Sequence, residues 1–230
     1  MKEVVRFAVV GEGRDEHGQY ARGPALRELP VGSLQGALVT LVSRLMRERF
    51  GRKPQPVAWS LPRLSRLGSD PIPSKILSDG NHLPRFLENL FRPIPLAPDP
   101  PKPLDLVILS VDAEYRDRFT RACAVLRPEI AARTIPLVFE PELEVLLVQG
   151  KEALEDAYGI PRCQTTPPGR HGDLKARLEE WRGQFAPQER RIDAAKKTLI
   201  AQFLEVRPGC RLEDLTVWTD LTRRLGAILG

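Results

Sequence analysis

Acidic side chains follow a short apolar run near the start of the chain, where glycines end the run. The stretch FAVVGEGRDEHG, from Phe7 to Gly18, places Glu12, Asp15 and Glu16 directly after it. Neighbouring carboxylates repel one another unless a cation lies among them. Glu12 and Glu16 are four residues apart, so a helical turn after the second glycine would direct both towards one point. This spacing is compatible with a bound divalent metal.

A second acidic pair ends the most apolar segment of the chain. LDLVILSVD, from Leu104 to Asp112, finishes in a carboxylate, and Glu114 follows two residues later. In an extended segment, residues two apart lie on the same side, so we expect Asp112 and Glu114 to face one point. Carboxylate oxygens are the protein ligands that Mg²⁺ and Mn²⁺ prefer. A third apolar segment, TIPLVFE, also ends in an acid, Glu140.

The elements that must position these acids are predicted from apolar runs and helical spacing. We predict strands at Val4–Val10, Pro56–Leu61, Leu104–Asp112 and Thr134–Glu140. We predict helices from about Ser33 to Met46, from about 81 to 91, and around Phe119 to Leu126, and no regular structure between Pro62 and residue 81. On the first helix, Arg44, Arg47 and Arg49 should point away from the sheet. Strands alternating with helices predict an α/β fold with a mainly parallel sheet, in which the carboxyl ends of the strands meet at one edge.

The chain divides into an expected α/β core at residues 1–160 and a helical C-terminal extension at 161–230. Helices are predicted at about 173–183, 187–205 and 211–227. The apolar positions of the second, Ile192, Ala195, Leu199, Ile200 and Phe203, form one stripe. We expect this extension to pack on the core.

Charge is unevenly distributed along the 230 residues, although the net value is only +5. Residues 104–161 carry 6 basic and 11 acidic side chains, whereas both flanks are positive. This pattern is compatible with an acidic centre between basic surfaces that bind a polyanion, and also with ordinary solvated helices. The three cysteines form no CxxC pair and no apolar run is long enough to span a bilayer, so we expect a soluble cytoplasmic protein.

The order of these motifs resembles the Toprim superfamily. VVGEGRDE is similar to the first-strand motif, in which a strand ends in Glu-Gly. VILSVDAE is similar to the second signature, a strand followed by Asp-x-Asp, with Glu114 here at the second acidic position. The resemblance implies a Toprim-like (Rossmann-like) sheet flanked by helices, with Glu12, Asp112 and Glu114 near the reacting phosphate.

A closer resemblance is to small stand-alone Toprim-like proteins of bacterial defence loci, relatives of the nuclease domain of overcoming-lysogenization-defect proteins. One family, catalogued only as a domain of unknown function, has a segment similar to FEPELEVLLV, which carries Glu142 and Glu144 here, and a lysine-bearing helix similar to DLKARLEE, with Lys175. The resemblance implies Mg²⁺ or Mn²⁺ bound by Glu12, Glu16, Asp112, Glu114 and Glu144. It also implies a nuclease acting in antiviral defence beside a partner ATPase.

Basic residues outside the acidic segment are the expected contacts to nucleic acid, DNA above all. Arg49, Arg52 and Lys53 stand in a run with few acids, and Lys175 could stabilise charge on a phosphate. Few aromatic residues accompany them, so stacking on single-stranded bases is not indicated.

Other interpretations of the same residues remain open. Glu12 and Asp112 could cap helix N-termini, Glu142 and Glu144 could be solvated, and Lys175 could be an ordinary surface lysine. The whole protein could be an inactive Toprim-like interaction subunit of an ATPase complex, or a nucleotide-binding regulator. Metal affinity separates the enzyme from the interaction subunit.

Overall fold

The computed structural model describes residues 3–11, 26–28, 36–59, 73–92, 102–140, 142–148, 201, 204 and 212–230. The strands are β1 (Val4–Val10), β2 (Leu26–Glu28), β3 (Lys53–Trp59), β4 (Leu106–Asp112) and β5 (Thr134–Phe139). The helices are α1 (Ala37–Glu48), α2 (Pro73–Leu77), α3 (His82–Phe91), α4 (Arg116–Ala124), α5 (Pro128–Ala131), α6 (Glu144–Val148) and α7 (Thr216–Leu229). Two 3-10 turns, 113–115 and 212–214, precede α4 and α7.

The strands form one sheet in the order β2-β3-β1-β4-β5. Strands β3, β1, β4 and β5 are parallel, and only the short β2 runs antiparallel, beside β3. The predicted α/β character and the parallel sheet are therefore confirmed. From the central pair the chain moves outwards in both directions: β1 leads through α1 to β3, and β4 leads through α4 and α5 to β5. The boundary between β1 and β4 is consequently a topological switch point.

Helices cover both faces of the sheet and bury two hydrophobic clusters. On one face, alternate residues of the strands pack with α1, α6 and α7, through side chains such as Phe7, Ile108 and Trp218. On the other face, the intervening residues pack with α2, α3 and α4, through side chains such as Val10, Leu109 and Phe119. Because both faces are covered, β4 is buried at all seven positions, as expected for a central parallel strand.

The burial of Arg44 was not predicted from the sequence. Arg44 is only 6% exposed, and every residue of α1 from Ala37 to Met46 is buried. Its guanidinium forms an ion pair with Glu48 and donates a hydrogen bond to the carbonyl of Leu204. Leu204, about 160 residues later in the chain, therefore lies against this part of α1. Arg47 and Arg49 are exposed, as predicted.

Proline accounts for two further differences from the predictions. The short helix α2 begins at Pro73, within the segment expected to be irregular, because proline is well tolerated in the first turn of a helix. Strand β3 begins at Lys53, three residues earlier than predicted, and includes Pro54 and Pro56. Strand β2 pairs with residues 57–59, and the proline-bearing half of β3 has no strand neighbour on that side among the described residues, where a missing N–H is tolerated.

The last predicted helix is present as α7, which begins at Thr216 rather than near 211. The helices predicted at 173–183 and 187–205 lie almost wholly outside the described residues. Of the second, Ala201 and Leu204 are described, and both are buried in the same cluster as α7. Within the described ranges, no helix combines the length and apolar character that crossing a bilayer requires.

Candidate functional site

The candidate site lies at the carboxyl edge of the sheet, at the boundary between β1 and β4. The two strands run in register, with Val10 beside Leu109, and β4 continues to Asp112. The chain leaves β1 through Gly11, the residue directly before Glu12. In open parallel sheets, ligands bind in the crevice outside the carboxyl ends of the strands, at such a switch point.

Asp112 is fixed at this edge by a backbone hydrogen bond. The side chain is 7% exposed, and its Oδ1 accepts a hydrogen bond of 3.1 Å from the N–H of Leu143. The carboxylate does not cap the turn that begins at Ala113, which was the alternative role considered for it. Asp112 therefore ties the end of β4 to the segment that follows β5 and leads into α6.

Two buried glutamates flank Leu143. Glu142 is fully buried and Glu144, the first residue of α6, is 1% exposed, which excludes the interpretation that they are solvated. A buried carboxylate is costly unless polar or charged groups compensate it. Each of the two makes at least one such interaction. Glu144, an expected metal ligand, thus occupies a desolvated position in the segment that Asp112 holds.

The extended exit from β4, on which the expected pairing of Asp112 with Glu114 was based, is wrong. Residues 113–115 form a 3-10 turn rather than an extended segment, and Glu114 is exposed while Asp112 is buried. With three residues per turn, side chains two apart diverge by about a third of a turn. Glu140, the acid after β5, is also exposed and pairs with Arg116.

Sequence reasoning missed Ser110, which is two residues before Asp112 on β4. Strand alternation places the two side chains on the same face of the sheet. Ser110 is fully buried, and among the described residues its hydroxyl has no hydrogen-bond partner. The available signal was a lone hydroxyl inside an otherwise apolar strand, at even spacing from the aspartate.

Three of the expected nucleic-acid contacts, Arg49, Arg52 and Lys53, lie at the opposite edge of the sheet. Lys53 is the first residue of β3, and Arg49 and Arg52 lie between the end of α1 and that strand. Seven strand residues correspond to about 20–23 Å between this amino edge and the carboxyl edge. Arg49 and Lys53 are exposed, whereas Arg52 forms an ion pair with Glu3 and donates to the carbonyl of Leu229.

The remaining expected site residues, Glu12, Glu16 and Lys175, lie outside the described residues, as do Asp15 and the helical turn proposed after Gly13. In the part of the chain that the structure describes, no three His, Cys, Asp or Glu side chains converge closely enough to hold a metal ion. The described geometry therefore provides Asp112 and the buried glutamates of one edge, but does not bring a complete ligand set together.

Comparisons with protein-family models, with curated proteins and with solved structures find no match for this chain.

Proposed function

We propose that the protein is a Mg²⁺- or Mn²⁺-dependent phosphodiester hydrolase of Toprim-like type that acts on nucleic acid. The observation that carries the proposal is the position of Asp112. This residue ends the central parallel strand β4 at the switch point, beside β1, the strand that precedes Glu12 in the sequence. Open α/β sheets bind their ligands at this place, and Asp112 supplies a carboxylate there.

The chemistry of the donor set fits a hard divalent cation. Asp112 contributes carboxylate oxygen, and the hydrogen bond from Leu143 orients that carboxylate, as the partners of metal ligands commonly do. Glu12, Glu16 and Glu144 would complete the set. Glu114 is the weakest member because it is exposed on the turn beyond β4.

A bound Mg²⁺ or Mn²⁺ would polarise the phosphate and lower the pKa of a coordinated water. The residues of this chain would orient the scissile phosphate between the ends of β1 and β4. Asp112, held by its backbone hydrogen bond, would keep its position without reorganisation during the reaction. Arg49 and Lys53 would contact the backbone of the same nucleic acid about 20 Å away, a distance that B-form DNA covers in about six base pairs.

The test is metal-dependent cleavage of plasmid DNA and of single-stranded oligonucleotides by the wild type, Asp112→Asn and Asp117→Asn. Asp112→Asn removes the charge of the side chain while keeping its shape. We expect the cleavage rate to fall more than about 100-fold, because the loss of a group that only supports a metal ligand costs about 10–100-fold. Asp117 is exposed in the first turn of α4, so Asp117→Asn is the matched control and should cleave normally.

A second variant separates binding from cleavage. Arg49→Ala combined with Lys53→Ala should weaken DNA binding and reduce its salt dependence by about 0.9 per lost phosphate contact, with the metal response unchanged. Arg52 is left intact because it anchors Glu3 and the end of α7. Wild-type protein that cleaves no substrate with either metal, or that cleaves no faster than Asp112→Asn, would refute the hydrolase proposal.

The second candidate function is an inactive interaction subunit, and one observation favours it. Asp112 already has a structural role in holding Leu143, and Glu114 is exposed on the turn that follows β4. Under this proposal the sheet edge is a remnant of a metal site, and the protein serves a partner ATPase in antiviral defence. Calorimetric titration of the wild type and of Glu12→Gln with Mg²⁺ and Mn²⁺ distinguishes the hydrolase from the interaction subunit. Only the hydrolase requires that the wild type binds the metal and that Glu12→Gln does not.

A further inference from the structure

Ser110 is a polar residue at one of the most deeply buried positions of the sheet. It lies on the central strand β4 and is 0% exposed. Its hydroxyl has no hydrogen-bond partner among the described residues. Buried hydroxyls are normally hydrogen-bonded, because moving one out of water without a partner costs free energy. We therefore expect Ser110 to have a partner that is not one of the described residues.

Ser110 and Asp112 are the polar side chains on one face of β1, β4 and β5, three strands that the structure describes in full. The other side chains of these strands on this face all belong to one hydrophobic cluster: Val5, Phe7, Val9, Leu106, Ile108, Ile135, Leu137 and Phe139. Residues two apart on a strand are separated by about 6.5 Å and point the same way. The two polar groups are therefore neighbours at the carboxyl end of β4, on a sheet surface that is otherwise apolar.

The neighbouring residue on the β1 side of Ser110 is a glycine. Val10 of β1 lies beside Leu109, so the next residue, Gly11, comes level with Ser110. On the other side, Leu137 of β5 is level with Ser110 and directs its side chain to the same face. The side of Ser110 without a neighbouring strand side chain is therefore the β1 side, where Glu12 follows Gly11 in the sequence.

Buried carboxylates accompany the hydroxyl at this end of the sheet. Asp112 accepts a hydrogen bond from the N–H of Leu143, which holds the segment 142–144 against the end of β4. Glu142 and Glu144, on either side of Leu143, are both buried. Hard divalent cations prefer oxygen ligands, carboxylates above all, and serine or threonine hydroxyls also serve them. The donor types at this end of β4 therefore match Mg²⁺ or Mn²⁺.

A buried water without a metal is a poorer partner for Ser110 than a water that a metal coordinates. Buried waters in proteins typically make about three hydrogen bonds to polar groups. On this face of β1, β4 and β5, Asp112 is the one polar side chain that could hold such a water together with Ser110. Mg²⁺ in proteins keeps several of its waters, and the cation then supplies the missing interaction. A water of a metal's coordination shell therefore meets the requirement better than an isolated one.

We propose that Ser110 is a positioning residue for the divalent metal at the carboxyl edge. Its hydroxyl hydrogen-bonds a water of the metal's coordination shell, while Asp112 supplies a ligand. Because Ser110 lies on a central strand, it holds that water at a fixed place. Groups that support a metal in this way typically strengthen its binding about 10–100-fold. This inference rests on the proposed function, because it requires the metal that the hydrolase would bind.

The test is calorimetric titration of the full chain with Mn²⁺ and with Mg²⁺. Ser110→Ala removes the hydroxyl, and we expect the Kd of each metal to rise at least about 10-fold, which corresponds to 1.4 kcal/mol. Ser110→Thr keeps the hydroxyl and places a β-branched residue that suits a strand. Its Kd for each metal should therefore stay within about 3-fold of the wild-type value.

Ser43 on α1 provides a matched control for the removal of a buried hydroxyl. Ser43 is 6% exposed, and its hydroxyl also has no hydrogen-bond partner in the described part of the chain. It lies in the middle of α1, whereas Ser110 lies near the end of its strand, beside Asp112. Ser43→Ala should therefore leave the Kd of both metals unchanged.

Thermal unfolding separates a role in metal binding from a role in the metal-free fold. Without metal, both alanine variants should melt at or above the wild-type temperature, because each loses a buried hydroxyl that lacks a partner. In Mg²⁺ at about 100 times the wild-type Kd, the wild type and Ser43→Ala should gain the same increase in melting temperature. Ser110→Ala should gain about half of it or less, as a 10-fold higher Kd requires.

The outcomes that contradict this inference differ from those that contradict the proposed function. Metal binding by Ser110→Ala as tight as by the wild type would overturn the inference and leave the hydrolase proposal standing. A Ser110→Ala protein that melts below the wild type without metal, or does not fold, would show that the hydroxyl already has a partner and would overturn it too. An equal rise in Kd for Ser110→Thr and Ser110→Ala would assign the effect to packing instead. A wild type that binds neither metal would refute the inference and the proposed function together.

Discussion

The hydrogen bond between Asp112 and Leu143 gives a quantitative test of whether this carboxylate is structural, metal-binding or both. Asp112→Ala leaves the Leu143 N–H unpaired in a buried position, which costs about 2 kcal/mol. For domains of 150–250 residues, 1 kcal/mol shifts the melting temperature by about 2–4 °C. We therefore expect Asp112→Ala to melt about 4–8 °C below the wild type without metal.

Asp112→Asn keeps an oxygen acceptor for Leu143 and loses only the charge. Hydrogen bonds to charged groups are about twice as strong as neutral ones, so the expected cost is about 1 kcal/mol and about 2–4 °C. Mg²⁺ at about 100 times its Kd would stabilise the wild type by about 2.7 kcal/mol, or about 5–11 °C. Neither variant should show this increase.

The assay is thermal unfolding of the wild type, Asp112→Ala, Asp112→Asn and the exposed control Asp117→Asn, each with and without Mg²⁺. It is repeated with a phosphorothioate oligonucleotide that resists cleavage. An Asp112→Asn protein that gains as much stability from Mg²⁺ as the wild type would show that Asp112 is not a ligand. An Asp112→Ala protein as stable as Asp112→Asn would show that the bond to Leu143 contributes little.

Two further predictions concern the buried Arg44 and the exposed Asp79. Arg44→Met should lower the free energy of unfolding, measured by urea denaturation, by about 1–3 kcal/mol because the buried Leu204 carbonyl loses its donor. The control Arg47→Met, at an exposed position of α1, should change this free energy by less than about 0.5 kcal/mol. Equal effects of the two substitutions would contradict the burial of Arg44. Hydrogen bonds from His82 lower the pKa of Asp79, just before α3. The wild type should therefore have a larger free energy of unfolding than Asp79→Asn, and the full difference should be present above the ordinary carboxyl pKa of 3.8. The difference should disappear as the pH falls through the lowered pKa. Urea unfolding between about pH 2 and 7 measures it, and an advantage independent of pH would refute the assignment.

The parallel sheet could be predicted from the sequence because buried parallel strands are continuous apolar runs. Strand β4 is the clearest example, with all seven positions buried. The start of β3 could not be predicted, because Pro54 and Pro56 argue against a strand, and only the structure shows that the described partner β2 pairs with the other half of β3. The burial of Arg44 was equally inaccessible, since it depends on residues about 160 positions later.

The candidate site could be predicted only in part. That Asp112 ends a strand of the parallel sheet followed from the apolar run and the fold class, whereas the position of this strand beside β1 came from the structure. Its contact with Leu143 joins residues 31 positions apart and could not be derived from local pattern. The error at Glu114 has a local cause, because nothing in the sequence distinguished an extended exit from β4 from the 3-10 turn that forms.

The central position of β1 has a consequence for synthesis of the protein on the ribosome. Residues 4–10 are made before their partners β3 and β4, which begin at Lys53 and Leu106. At about 5–20 residues per second, β1 waits about 5–20 s for β4, with an apolar edge unpaired. Arg52 reaches the carbonyl of Leu229 only after a further 177 residues have been made. The nascent chain should therefore depend on protection of its first strand, and codons that slow translation between residues 60 and 105 should lower the soluble yield.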